Sequence, residues 1–232
     1  MAIAITALDS GSVTTNQAQV TSNAFTPTTG AVLFVVTETA VEGGLTPAIA
    51  DSGVRTWTQI NTLATEPVAG AADLSLNGWW APVGTGALMT VVIGDAVTTM
   101  ANQMWSIFEA TGADTSAPIV QSDINNANTA VTSIAGTLAA MAAGNVIVHA
   151  ACHSIGEATD ETTDGFTEIH DLTNTSPANG LQTGYKATSD TAPTYSWATG
   201  SDAVSLSFEI AAAAAGGSPN LIIGMHAQTA MI

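Results

Sequence analysis

The sequence predicts an all-β protein built from two duplicated antiparallel β-sandwich halves of jelly-roll type, with extended N- and C-terminal arms. Three observations carry this prediction. Short apolar runs, some with strict period-two alternation, recur along the 232 residues, and that is the pattern of strands. Between the runs lie Gly, Pro, Asn, Asp, Ser and Thr, the residues that form turns. Finally, the same blocks of sequence occur twice in the same order.

Taken along the chain, Ala31 to Val36 (AVLFVV) and Asn145 to Ala151 (NVIVHAA) are apolar runs that each follow a glycine. Ala87 to Ile93 (ALMTVVI) is a further run. Ala203 to Ala211 (AVSLSFEIA) alternates cleanly, with Val204, Leu206, Phe208 and Ile210 on one face and Ser205, Ser207 and Glu209 on the other. That is the signature of a half-buried strand. Leu138 to Ala143 (LAAMAA) has helical composition, but the matching position of the first half is a loop, so it reads as a loop.

The duplication rests on five matched blocks. Thr56 to Leu63 (TWTQINTL) resembles Gly165 to Leu172 (GFTEIHDL), and an Asp precedes each, Asp51 and Asp164. Gly30-Ala-Val-Leu matches Gly144-Asn-Val-Ile. Leu76 to Pro82 (LNGWWAP) matches Leu181 to Thr188 (LQTGYKAT), which sets Trp79 against Tyr185. Ser106 to Ala110 (SIFEA) matches Leu206 to Ile210 (LSFEI). The expected organisation is an N-terminal arm or edge strand over 1–24, repeat one over 25–115 and a linker over 116–134. Repeat two follows over 135–212, then a C-terminal linker and apolar arm over 213–232. A half this small without disulfides is marginal alone, so the halves are expected to share a core or pack tightly.

Composition excludes several functions. The chain has two basic and nineteen acidic residues, a formal net charge of −17. Nucleic-acid binding needs a basic footprint, and an anionic membrane surface repels such a chain. The single cysteine, Cys152, allows no internal disulfide. The N-terminus lacks the basic and apolar regions of a signal peptide. The most apolar stretch, Leu138 to Cys152, is shorter than the ~20 residues of a spanning helix.

Candidate chemistry is sparse. His149, Cys152, His153 and His170 are potential soft-metal ligands. On a strand, however, His149 and His153 stand ~13 Å apart, too far to clamp one zinc, and Cys152 points to the opposite face. No metal and no cofactor is therefore expected. Glu157, Asp160, Glu161 and Asp164 match no calcium motif and read as a solvated loop. Glu109 and Glu209 recur with the repeat, and if they faced one another they would resemble a glycosidase carboxylate pair. Symmetric surface positions are the simpler reading. Of the five tryptophans, Trp57 reads as core because it matches Phe166. Trp79 lies opposite the face of Leu74, Leu76 and Trp80, and is the candidate exposed aromatic, for a glycan or a subunit contact.

The W/F-T-Q/E-I block, an aromatic pair followed by Ala, and the closing Phe-Glu strand together resemble a β-sandwich domain of tailed-bacteriophage virion proteins, of head-decoration, head-fibre and tail-associated type. The resemblance spans both halves and rests on packing motifs. It implies a non-enzymatic structural protein of the virion, foremost a capsid decoration (cement) protein on the head surface. Its implied partners are the major capsid protein or other virion proteins, and copies of itself, foremost as a trimer. The alternative is a tail-tip or fibre adhesin, or a carbohydrate-binding β-sandwich module, with a host glycan as ligand. The expected contact residues are Ile3, Ile5 and Trp79, with Leu221, Ile222, Ile223, Met225 and Ile232 of the C-terminal segment. That segment either folds back on its own domain or adds to a neighbouring subunit.

Overall fold

The computed structural model describes residues 2–40, 46–61, 64–66, 74–94, 99–100, 102–156, 165–176 and 178–214. Among them the protein is all-β, and every strand pairing is antiparallel. A six-stranded sheet runs in the order β1 (Ala4–Val13), β9 (Asn102–Thr111), β3 (Val32–Ala40), β7 (Leu74–Pro82) and β5 (Thr58–Gln59), with β6 (Ala64–Glu66) also on β7. A five-stranded sheet runs β10 (Ile119–Ala135), β14 (Thr194–Ile210), β11 (Val146–His153), β13 (Ala178–Lys186) and β12 (Thr167–Thr175). A three-stranded sheet runs β2 (Gln19–Thr21), β8 (Val91–Gly94) and β4 (Ala48–Asp51).

One core joins the two large sheets. Val32, Phe34 and Val36 of β3 and Phe108 of β9 pack with Val148 and Ala150 of β11 and with Leu206 and Phe208 of β14. Phe34 stacks on Phe108 at 5.2 Å and on Phe208 at 5.7 Å between ring centroids. Each such ring contributes roughly 2–3 kcal/mol through the apolar surface it removes from water.

Both large sheets are covered on their second face as well. Leu33, Val35 and Ile107 pack against Val20, Val91 and Ile93 of the three-stranded sheet. On the five-stranded sheet, Ile147 and Ala151 pack against Ile134, Tyr195 and Trp197. These last three come from the far ends of β10 and β14, beyond the irregular register between Ala127 and Ser133. Burial on both faces explains why β3 and β11 each open on consecutive apolar residues rather than alternating with polar ones.

Two expectations need correction, and the choice left open at the N-terminus is decided. Residues 116–134 are not a linker, because β10 fills most of that span as the edge strand of the five-stranded sheet. Its Asn-rich stretch looks like turn composition, but the backbone pairs with β14 about 80 residues away. Of the two readings of residues 1–24, arm or edge strand, the edge strand is the one that forms. β1 is an edge strand on β9, and Ile3 and Ile5 pack against the shared core. The face of β14 expected to meet solvent is buried, since Ser205, Ser207 and Glu209 are all at 1% exposure or less. Alternation assigned the faces correctly but does not reveal what covers each one.

Candidate functional site

Several buried and half-buried carboxylates hold backbone. Asp9 accepts from the Asn23 backbone N–H (3.3 Å), from Asn23 Nδ2 (2.9 Å) and from Trp105 Nε1 (2.9 Å). Asp123 accepts from the Thr137 N–H at 2.7 Å. Glu109 accepts from the N–H and the hydroxyl of Thr28, both at 2.6 Å. Glu209 accepts from the Ala142 N–H (3.0 Å), Asn145 Nδ2 (2.6 Å) and Gln121 Nε2 (2.5 Å). Hydrogen bonds to a charged acceptor contribute roughly 1.5–3 kcal/mol each, so these carboxylates fasten loops to strands.

The glycosidase arrangement of Glu109 and Glu209 does not form. Phe108 and Phe208 share the core between the large sheets. Strand alternation therefore turns Glu109 and Glu209 away from it, onto the outer faces of two different sheets. A glycosidase pair needs its carboxyls roughly 5–9.5 Å apart on one substrate. Nor are the two glutamates surface positions, since both are buried.

Asp51 anchors a second constellation. Its carboxylate accepts from the Gly53 N–H (2.6 Å), the Arg55 N–H (3.2 Å), Arg55 Nη1 (2.9 Å) and Trp57 Nε1 (2.8 Å). Inside this turn Val54 has φ of +56° and is 90% exposed. A β-branched residue at positive φ is strained. Hydrogen bonds between Ser52 and Thr90 bring the turn beside Leu88, which is 72% exposed. The other cation, Lys186, pairs with Asp190 at 2.8 Å and lies 5.4 Å over the Phe166 ring.

A third constellation lies between the two large sheets. Glu38 is fully buried on β3, where its Oε1 accepts from Asn179 Nδ2 at 2.8 Å and its Oε2 has no partner. Burial pushes its carboxyl up to about 8, partly opposed by the Asn179 bond. Cys152 faces the same core, and burial, with Glu38 adding to it, pushes its thiol well up. Ser106 Oγ is 2.8 Å from both His170 Nδ1 and Thr183 Oγ1. A serine beside a histidine has the form of a nucleophile and base. Ser106 is fully buried, however. His149 bonds Ser207 Oγ at 2.8 Å, and burial lowers its pKa to about 3, so it stays neutral.

The expected contact residues are scattered. Ile3 and Ile5 lie on β1 at the core edge. Trp79 is 5% exposed, which overturns the exposed-aromatic reading. It sits opposite Val35, on the face of the six-stranded sheet that also packs against the three-stranded sheet. Trp105 and Trp197 are buried as well, and Trp57 and Trp80 are half-buried, so no tryptophan offers a bare face for a sugar ring. Leu221, Ile222, Ile223, Met225 and Ile232 lie outside the described residues, as do Glu157, Asp160, Glu161 and Asp164. Among the described residues no three His, Cys, Asp or Glu side chains converge as metal ligands. An open cleft of about 560 Å³ lies where the chain leaves β14, lined by Thr28, Thr29, Thr111, Asp114, Thr115 and Ala213. In it the Asp114 carboxylate is already engaged by Ser116, which lowers its pKa.

Sequence reasoning named Asp51 only as part of the repeat and missed Glu38 and Val54. Glu38 interrupts the apolar run of β3, and a lone carboxylate there was a usable signal. The Val54 conformation leaves no trace in residue type. No protein-family model matches the chain, and no curated protein or solved structure is detectably similar to it.

Proposed function

We propose that the protein is a non-enzymatic structural component of a tailed-phage virion, a capsid decoration or head-surface protein that binds the major capsid lattice as a homo-oligomer. The observation that carries this reading is the use of its ionisable side chains. Asp9, Asp51, Glu109, Asp123 and Glu209 all hold backbone amides, and Arg55 and Lys186 are both ion-paired. Such a chain is braced rather than equipped for turnover.

We further infer that the fold is an internally duplicated β-sandwich. Supporting this, strands β1, β9, β3, β7 and β5 follow the same order as β10, β14, β11, β13 and β12. Phe34 opposes Phe108 and Trp80, as Val148 opposes Phe208 and Tyr185. That register sets Tyr185 against Trp80, one residue on from the sequence match to Trp79. Asp9 and Asp123 reach the amides of Asn23 and Thr137, and Glu109 and Glu209 reach those of Thr28 and Ala142. On this reading each repeat begins at its edge strand, so the supposed arm and linker belong to the repeats. The adhesin alternative loses its carrier with the burial of Trp79.

The test is to purify the virions whose genome encodes the chain and to assay them by mass spectrometry and cryomicroscopy. Copies at regular sites on the head, with a defined oligomer (foremost a trimer) by light scattering, are the expected result. Particles that lack the protein overturn the reading.

A further inference from the structure

The large apolar side chains that stand exposed among the described residues are Val54, Leu88 and Val120, and contacts on the page tie each to the place where the chain leaves β14. There the Ala211 N–H donates to the Pro118 carbonyl and the Ala213 N–H to the Gly112 carbonyl, both at 2.8 Å. Ala213 and Ala214, the last described residue, then line the open cleft of about 560 Å³. Val120, 54% exposed, lies two residues beyond Pro118 on β10. Leu88 lies two residues beyond Gly86, whose N–H donates to Thr29 Oγ1 at 2.9 Å, and Thr29 lines the same cleft. Val54 stands beside Leu88 in the turn joined to Thr90. This end of the molecule is poor in free charge. Residues 83–90 (VGTGALMT) include no ionisable side chain. The carboxylate of Asp114 in the cleft is taken up by the N–H and hydroxyl of Ser116.

We propose that the cleft, with Leu88 and Val120 beside it, is the docking site of the chain's own C-terminal segment, residues 221–232 (LIIGMHAQTAMI). Three arguments select this occupant. The segment is apolar and has no Asp, Glu, Lys or Arg, so in a chain of net charge −17 it matches an end that is itself apolar and nearly uncharged. It begins close by, because the six residues 215–220 can span at most ~20 Å from Ala214 at the cleft. The tether also favours the same chain over a second copy. A short flexible linker holds its cargo at an effective concentration on the order of millimolar, whereas two copies of so acidic a chain repel. Exposed apolar side chains gathered beside a cleft mark an interaction site, and here the partner is already attached. The inference is independent of the virion reading.

The test is methyl and amide NMR on the full-length protein. Nuclear Overhauser contacts are expected from the Met225 or Met231 methyl to the methyls of Leu88 or Val120. Amide exchange in 221–232 should be slower by about tenfold or more than in the free peptide of that sequence. In an equilibrated mixture of chains labelled only at Met with chains labelled only at Leu and Val, the contacts should vanish. Contacts that persist in the mixture assign the site to a second copy's segment and overturn the proposal. So do tail methyls without contact to this end and tail amides that exchange as the free peptide does. A Leu88→Asp, Val120→Asp double variant, changed at two exposed positions, should return the tail amides to the free rate while the core methyl spectrum stays as in the wild type. Protection that survives both changes also overturns it. If that variant does not fold, the wild-type contacts and the mixture decide.

Discussion

Replacing Glu38 with Gln should remove a pH dependence from the stability of the protein. Glu38 lies at 0% exposure with one carboxyl oxygen bonded to Asn179 and the other unpaired. Its carboxyl is raised from 4.5 to about 8 by burial. The native state therefore keeps a proton that the unfolded chain releases above pH 4.5. Linkage then requires stability to fall as pH rises between those two values, and to level off above about 8. At about 1.4 kcal/mol per pH unit, the full loss is on the order of 5 kcal/mol, with on the order of 3 kcal/mol already lost at pH 7. Gln keeps the oxygen that Asn179 bonds and cannot titrate. The variant should match the wild type near pH 4 and exceed it increasingly up to pH 8. Cys152 does not blur the comparison, because its raised thiol stays protonated through that range. The assay is urea unfolding of both proteins across pH 4 to 9, reading the difference in unfolding free energy. Parallel curves would refute the argument and place Glu38 in contact with water or an unseen partner.

Three further outcomes follow from the geometry. Val54→Gly should stabilise the protein by about 1 kcal/mol by relieving the positive φ, measured as a higher denaturation midpoint; an unchanged or lower midpoint would deny the strain. Asp51→Ala should destabilise by about 2–4 kcal/mol, since it strands the largely buried Arg55 guanidinium and the Trp57 indole N–H; calorimetry would measure it, and a loss below 1 kcal/mol would contradict the anchoring role. Trp79→Ala should lower stability by about 3–5 kcal/mol as a core truncation, and a variant as stable as the wild type would return Trp79 to the surface.

How far the sequence could be read depends on the range of each signal. Alternation in β14 placed Val204, Leu206, Phe208 and Ile210 on one face, as observed. It left open whether the serine face met water, because that depends on Ile134, Tyr195 and Trp197 folding over it. The same gap misplaced Trp79, whose side of β7 was correct and whose exposure was not. The Asn-rich segment before Val131 looked like a linker because turn formers dominate it. In the fold, Asn125 and Asp123 satisfy the backbone of Ala135 and Thr137, a use of polar side chains that composition cannot distinguish from a loop.

The class of structure was thus present in local information: period-two apolar runs, turn-forming residues between them and blocks that recur in order. Local patterns set which side chains share a face, because a strand alternates whatever its neighbours. The covering of each face, the burial of Glu38 and the conformation of Val54 arose from segments far apart in the chain. Strand pairing, sheet stacking and the hydrogen-bond needs of buried backbone are settled only when those segments meet.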